Sequence, residues 1–111
     1  MKYLLDTHAL LWIVQEDEKL SKKTAEIYLD PSNEIYFSVV SLWEMAIKIN
    51  LQKLKIGDPL DNFVKNHVIG NGIRILKLAT DHIFPLENLP LHHRDPFDRL
   101  LISQSMQEMM P

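Results

Sequence analysis

Asp6, Glu44 and Asp98 stand at comparable points along the chain. Asp6 ends the first apolar run, Lys2-Tyr3-Leu4-Leu5, ahead of Thr7 and His8. Glu44 falls just inside a helix expected to open at Ser41, and Asp98 just inside another opened by Asp95-Pro96. Each therefore lies at the carboxyl end of a strand or early in the helix beyond it. In an open parallel sheet those positions face one crevice. Crowded carboxylates repel one another unless a cation neutralises them. A shared divalent ion is the simplest solution, and a hard-oxygen ligand set suits Mg2+ or Mn2+ and phosphate-ester chemistry.

Each acid also has a local alternative. Asp6 can end the strand or cap the first helix. Glu44 follows Ser41 by three residues, as in a capping box, and precedes Lys48 by one turn in the favourable order for an ion pair. Asp95 reads as an N-cap and so as support, while Asp98 gains from the helix dipole. His8, two residues beyond Asp6, is a candidate substrate contact. His92 and His93 are adjacent, which is not zinc-ligand spacing. Ser38 and Ser41 follow a strand but lack a nucleophile elbow, and with three glycines in all there is no phosphate-binding glycine loop. Trp12, Trp43 and Phe97 sit beside apolar neighbours, and core packing is their default reading.

The elements that must position these groups alternate. Lys2 to Leu5 reads as a buried strand. Thr7 is expected to cap a helix through Val14, and Ser21 a second through Leu29, ended by the Pro31-Ser32-Asn33 turn. Ile35 to Val40 is rich in β-branched and aromatic residues and reads as a strand. A third helix then runs from Ser41 toward Leu51. Gly57-Asp58-Pro59 breaks the chain, and a fourth helix spans Leu60 to about Val68, closed by Gly70-Asn71-Gly72. Ile73 to Leu76 is the third strand. Asp81 to Leu89 is a short helix or turn interrupted by Pro85. Asp95, with Pro96 at the first helical position, opens the last helix. Alternation of this kind predicts an α/β fold, a central parallel sheet flanked by helices. Such a domain would ordinarily return a strand after its last helix, yet the sequence stops at Pro111.

Composition narrows the class. The 111 residues suit one domain over 1–111, and 46% hydrophobic and 24% charged residues are ordinary for a globular protein. With no cysteine, disulfides, zinc thiolates and thiol catalysis are excluded, and a reducing cytosol is compatible. No secretory leader or membrane-spanning run is read, so a cytoplasmic location is expected. The net charge of −3 argues against a broad phosphate-gripping surface. Any nucleic-acid contact must rest on metal and on local clusters such as Lys48, Lys53 and Lys55, or Arg94 and Arg99. A solvated helix face is the plainer reading of any single lysine.

Leu4-Leu5-Asp6-Thr7-His8-Ala9-Leu10-Leu11-Trp12, then Ser38 to Glu44, then His92-His93-Arg94-Asp95-Pro96-Phe97-Asp98-Arg99-Leu100-Leu101 closely resemble the PIN-domain ribonucleases, in particular the VapC-type toxins of bacterial toxin–antitoxin pairs. The resemblance covers essentially the whole chain. It implies a PIN-like three-layer fold and Mg2+- or Mn2+-dependent endonucleolytic cleavage of RNA. It further implies inhibition by a small cognate antitoxin protein and frequent homodimers. Asp6, Glu44 and Asp98 match the family's metal-binding acids, with Asp95, Ser38, Thr7 and Arg99 as supporting residues. Arg99, or a lysine between Lys48 and Lys55, is expected to bind the RNA backbone. The family continues into a strand carrying a fourth acid and then a final strand. The sequence therefore reads as C-terminally truncated, with Tyr3-Leu4-Leu5 left as an apolar sheet edge.

Two rival readings remain open at this point. One is a catalytically inactive PIN remnant that only binds antitoxin. The other is a phosphatase with an Asp nucleophile, which would need a second Asp where this chain has His8.

Overall fold

A computed structural model describes residues 1–90 and 95–111; Leu91, His92, His93 and Arg94 lie outside the described residues. Three strands, β1 (Lys2–Leu5), β2 (Glu34–Ser38) and β3 (Arg74–Leu76), form one parallel sheet in the order β1-β2-β3. Between and after them run α1 (Thr7–Gln15), α2 (Lys22–Leu29), α3 (Val39–Asn50), α4 (Leu60–Phe63), α5 (Thr80–Ile83) and α6 (Pro96–Glu108). No helix among the described residues is long and apolar enough to cross a membrane.

Neighbouring strand residues point to opposite faces. Leu5 therefore joins Ile35 and Phe37 in a core with Leu10 of α1, Met45 of α3, and Phe63, Val68 and Ile73. Leu4 instead packs on Val40, Leu100 and Leu101, where α3 and α6 cover the other face. Helices on both faces of a parallel sheet make the expected α/β three-layer architecture.

The helix starts differ from the pattern-based reading, and the reasons are local hydrogen bonds. Asp6, not Thr7, caps α1, because its side chain accepts the Ala9 N–H. Likewise α3 opens at Val39 with Ser38 as its cap, so Val39 and Val40 leave the strand despite their β-branched side chains. The Ser38 hydroxyl, which accepts the Val40 N–H at 3.0 Å, outweighs a weak β-propensity. Ser41 is consequently interior to the helix, and Glu44 closes no capping box. The expected fourth helix is α4 followed by a π-turn at Val64–Val68 and a 3-10 turn at Ile69–Asn71, closed by Gly72 at φ 76°. β3 begins at Arg74, one residue late, while Asp81 to Leu89 resolves into α5 and a 3-10 turn at Phe84–Asn88 that includes Pro85. The last helix starts as expected, with Asp95 as its cap and Pro96 next.

β1 lies at an edge of the sheet, and its Leu4 N–H donates to the Pro111 carbonyl at 3.3 Å. Between α2 and β2 the chain turns through Asp30, whose carboxylate accepts both the Ser32 N–H at 2.9 Å and the Ser32 hydroxyl at 2.7 Å. These bonds, the backbone one foremost, hold the Asp30 carboxyl below its ordinary value of 3.8. A depressed folded pKa adds stability above the ordinary carboxylate pKa, lost as pH falls through the folded value. Ser32→Ala is expected to raise the Asp30 pKa toward the ordinary value, read by NMR titration. Phe37 is wholly buried in the central strand, so Phe37→Ala should destabilise by about 3–5 kcal/mol in urea unfolding.

Candidate active site

Leu5 pairs with Phe37, so Asp6 and Ser38 are the next residues along two adjacent parallel strands and share the carboxyl end of the sheet. Asp6 is exposed, and its Oδ1 accepts the Ala9 N–H at 2.6 Å. Thr7 points the other way. Its buried hydroxyl donates to Glu44 Oε1 at 2.7 Å, across 37 residues of sequence. Glu44 is itself buried, and its second oxygen, Oε2, takes Lys48 Nζ at 2.9 Å. One contact thus ties the start of α1 to the second turn of α3 directly beside Asp6.

α6 supplies the opposite wall. The Asp95 carboxylate accepts the N–H groups of Phe97 at 2.8 Å and Asp98 at 3.2 Å, leaving Asp98 exposed in the first turn. One turn later on that side, Leu101 and Ile102 line a cleft whose other wall is Leu4, Leu5 and Asp6. Chain neighbours of Glu44 and Asp98 also touch. The Trp43 and Phe97 rings meet edge-on, with centroids 4.9 Å apart and planes at 79°. Trp43 is 56% exposed, so it is an inter-helix clasp rather than the core residue expected of it. Trp12 stacks on exposed His8, with centroids 6.0 Å apart.

Comparison with protein families matches residues 3–111 to the PIN domain. The chain belongs to the PIN-domain family. PIN domains are in general nucleases that bind RNA and use divalent metal ions. Comparison with curated protein sequences found no match.

The donor chemistry of this PIN domain fits a hard divalent cation. Asp6 follows β1, Asp98 stands in the first turn of α6, and Glu44, in the second turn of α3, already carries a cationic group in the Lys48 ammonium. Ser41 Oγ, three residues before Glu44 on α3, is buried without a hydrogen-bond partner among the described residues. Gathering is incomplete, however. Among the described residues no group of three or more Asp, Glu or His side chains is placed to hold one ion. The expected convergence of Asp6, Glu44 and Asp98 is thus absent from this arrangement. The causes are visible for two of them: Asp6 is turned to cap α1, and Glu44 is held by Thr7 and Lys48.

The supporting residues have definite tasks in the PIN domain. Ser38 is fully buried; its hydroxyl donates to Gln104 Oε1 while accepting the Val40 N–H. Gln104 Nε2 lies 3.3 Å from His82 Nδ1, which also accepts the Ala79 N–H at 3.0 Å. With Nδ1 an acceptor, the ring proton sits on Nε2, 3.0 Å from Glu108 Oε2. A buried polar chain therefore runs from α6 to the cap of α3. Sequence reasoning missed Gln104 and His82. The available signal was Gln104 itself, a polar residue in register with Leu100 and Leu101 on a face that must be buried. Arg99 donates to the carbonyls of Pro90 at 3.2 Å, Leu89 at 3.3 Å and Leu86 at 3.4 Å. It fastens the stretch from Leu86 to Pro90 to α6. His92, His93 and Arg94 lie outside the described residues.

Thr7→Val keeps the shape of the side chain but leaves Glu44 Oε1 without its donor. A destabilisation of about 1–3 kcal/mol is expected in urea unfolding, with Thr7→Ser close to wild type.

Proposed function

We propose that this PIN domain is a Mg2+- or Mn2+-dependent endoribonuclease, the cytoplasmic toxin of a toxin–antitoxin pair, with Asp6, Glu44 and Asp98 as its catalytic acids. The observation that carries the reading is the buried Thr7–Glu44 hydrogen bond. It draws the ends of β1 and the start of α3 together under exposed Asp6, opposite the helix that bears Asp98.

The assigned work of these side chains is electrostatic. Asp6 is an exposed acid on the cleft wall, Asp98 an exposed acid in the first turn of α6, and Glu44 a buried acid in the second turn of α3. Together they concentrate negative charge where a chain of net charge −3 would otherwise repel a polyanion, so their role requires a cation. The chemistry supplied by a divalent cation is polarisation of a phosphodiester and a lowered pKa for the attacking water. Hydrolysis adds water across the P–O3′ bond, leaving a 3′-hydroxyl and a 5′-phosphate. Asp95 and Ser38 set the starts of α6 and α3, and so the height of Asp98 and Glu44 above the sheet. The small antitoxin and a second copy of the chain are the proposed protein partners.

A second reading is an antitoxin-binding module that does not turn over. One observation favours it: Val39, Trp43, Ile47 and Leu51 are all exposed and recur every fourth residue along α3. An apolar stripe of that kind is a surface for a partner.

Asp6→Asn separates catalysis from folding, because an amide oxygen still accepts the Ala9 N–H. Unfolding should stay within about 1 kcal/mol of wild type. Mn2+-stimulated cleavage of a structured RNA should drop by roughly a hundredfold or more, and EDTA should reduce wild type to the same level. Equal cleavage by wild type and variant would remove Asp6 from the mechanism. Antitoxin capture by a wild type that never cleaves would favour the second reading.

A further inference from the structure

His8 is exposed, and its side chain makes no hydrogen bond or ion pair among the described residues. Its contact is with a ring. The Trp12 indole, one helical turn later, has its centroid 6.0 Å away and its plane at 25° to the imidazole. Trp12 is half-buried where α1 meets α2, beside Leu20, Ala25 and Tyr28. Helical side chains lean toward the N-terminus of their helix. Trp12 therefore backs one face of His8, and His8 leans toward the start of α1, where Asp6 is the cap. A flat ring is thus held in one orientation while it stays open to solvent.

We propose that the His8 ring, backed by Trp12, is a stacking platform for an unpaired base, so that the domain takes single-stranded RNA. The proposal rests on the nuclease reading and adds the strandedness of the substrate. With a net charge of −3, a grip led by phosphate contacts is weak here. Stacking on an aromatic ring needs no positive charge, and it tolerates sequence because every base has a π-face. Bases inside a duplex are covered on both faces by their neighbours and offer His8 nothing to stack on. Unpaired bases can be splayed out onto a side-chain ring. His8 is two residues from Asp6, so a base seated on it lays its strand along the end of the sheet assigned to cleavage. A histidine that transfers a proton is ordinarily oriented by a partner on its other ring nitrogen, and His8 has none. Stacking asks nothing of those nitrogens.

The probe is a single-stranded RNA of about ten nucleotides, with a phosphorothioate backbone that slows cleavage, titrated in Mg2+ and followed by fluorescence anisotropy. His8→Ala should weaken binding by about fivefold to fiftyfold, the loss of one base–aromatic stack. His8→Phe keeps a ring and loses both nitrogens, and it should bind within about threefold of wild type. A duplex of the same sequence should bind wild type more weakly and be indifferent to His8→Ala. In cleavage of unmodified RNA the loss in His8→Ala should fall on KM, with kcat largely kept. Both variants should unfold at the same urea concentration as wild type, since His8 is exposed. A His8→Phe variant as weak as His8→Ala would assign the contact to the ring nitrogens and overturn the proposal. An equal loss on the duplex would assign it to the backbone and overturn it as well. A wild type that binds and cleaves, beside a His8→Ala variant that does both equally well, removes the role of His8 alone. A wild type that neither binds nor cleaves overturns the nuclease reading and this proposal with it.

Discussion

A buried carboxylate has to be satisfied, and much of this molecule is arranged around that requirement. Glu44 lies inside α3 with little solvent, so each oxygen must find a donor or a cation within the protein. Thr7 supplies one from the far end of β1, and Lys48 supplies the other from the next turn of the same helix. The Thr7 contact is possible only because α1 starts at Asp6. With Asp6 as the cap, the Thr7 side chain is turned inward and buried. Had Thr7 itself been the cap, its hydroxyl would have been engaged with the α1 backbone and Glu44 Oε1 left empty. The choice of cap in one helix thus decides whether an acid in another can be buried.

A similar constraint sets the height of α3 on the sheet. Ser38 ends β2 and caps α3, and its hydroxyl is locked by the Gln104 carboxamide of α6. Gln104 is fully buried, so the amide must be satisfied as well, and His82 with the Lys77 carbonyl receives its NH2 group. Polar groups buried in this way are stable only as complete sets. The completed set links β2, α3, α5 and α6 at the end of the sheet where the acids stand. The apolar clusters hold the layers together without fixing their registration. The Thr7–Glu44 and Ser38–Gln104 bonds set it, since shifting any one helix would leave a buried oxygen or hydroxyl unpaired.

The order of elements, the parallel sheet and the start of α6 were legible in the sequence. Apolar runs at Lys2–Leu5 and Ile35–Phe37 announce buried strands, and Asp95-Pro96 announces a helix without ambiguity. The start of α3 was not legible from pattern alone. Val39 and Val40 favour a strand by propensity, and Ser41-Leu42-Trp43-Glu44 mimics a capping box. The true cap, Ser38, is fixed by a contact with Gln104 that lies 66 residues away and has no local signature. Trp43 misled for a related reason. Its type argued for the core, whereas its place on α3, four residues after exposed Val39 and four before exposed Ile47, puts it on the outer stripe. Asp6 and Asp98 stand where the pattern put them, after β1 and in the first turn of α6, whereas Glu44, expected just inside α3, lies in its second turn because that helix opens at Val39. Their present hydrogen bonds were not legible, because capping by Asp6 and pairing by Lys48 depend on backbone geometry that the residue types leave open.

α3 therefore has two faces with different tasks. Ser41, Glu44 and Met45 point inward, toward the sheet end and the core, while Val39, Trp43, Ile47 and Leu51 point outward. Lys48 sits between the faces, one residue beyond Ile47 and one turn beyond Glu44. Trp43 joins the outer stripe to α6 through Phe97, the neighbour of Asp98. Anything that packs on the stripe must press on Trp43 and so on the edge-on ring contact that holds the start of α6 against α3.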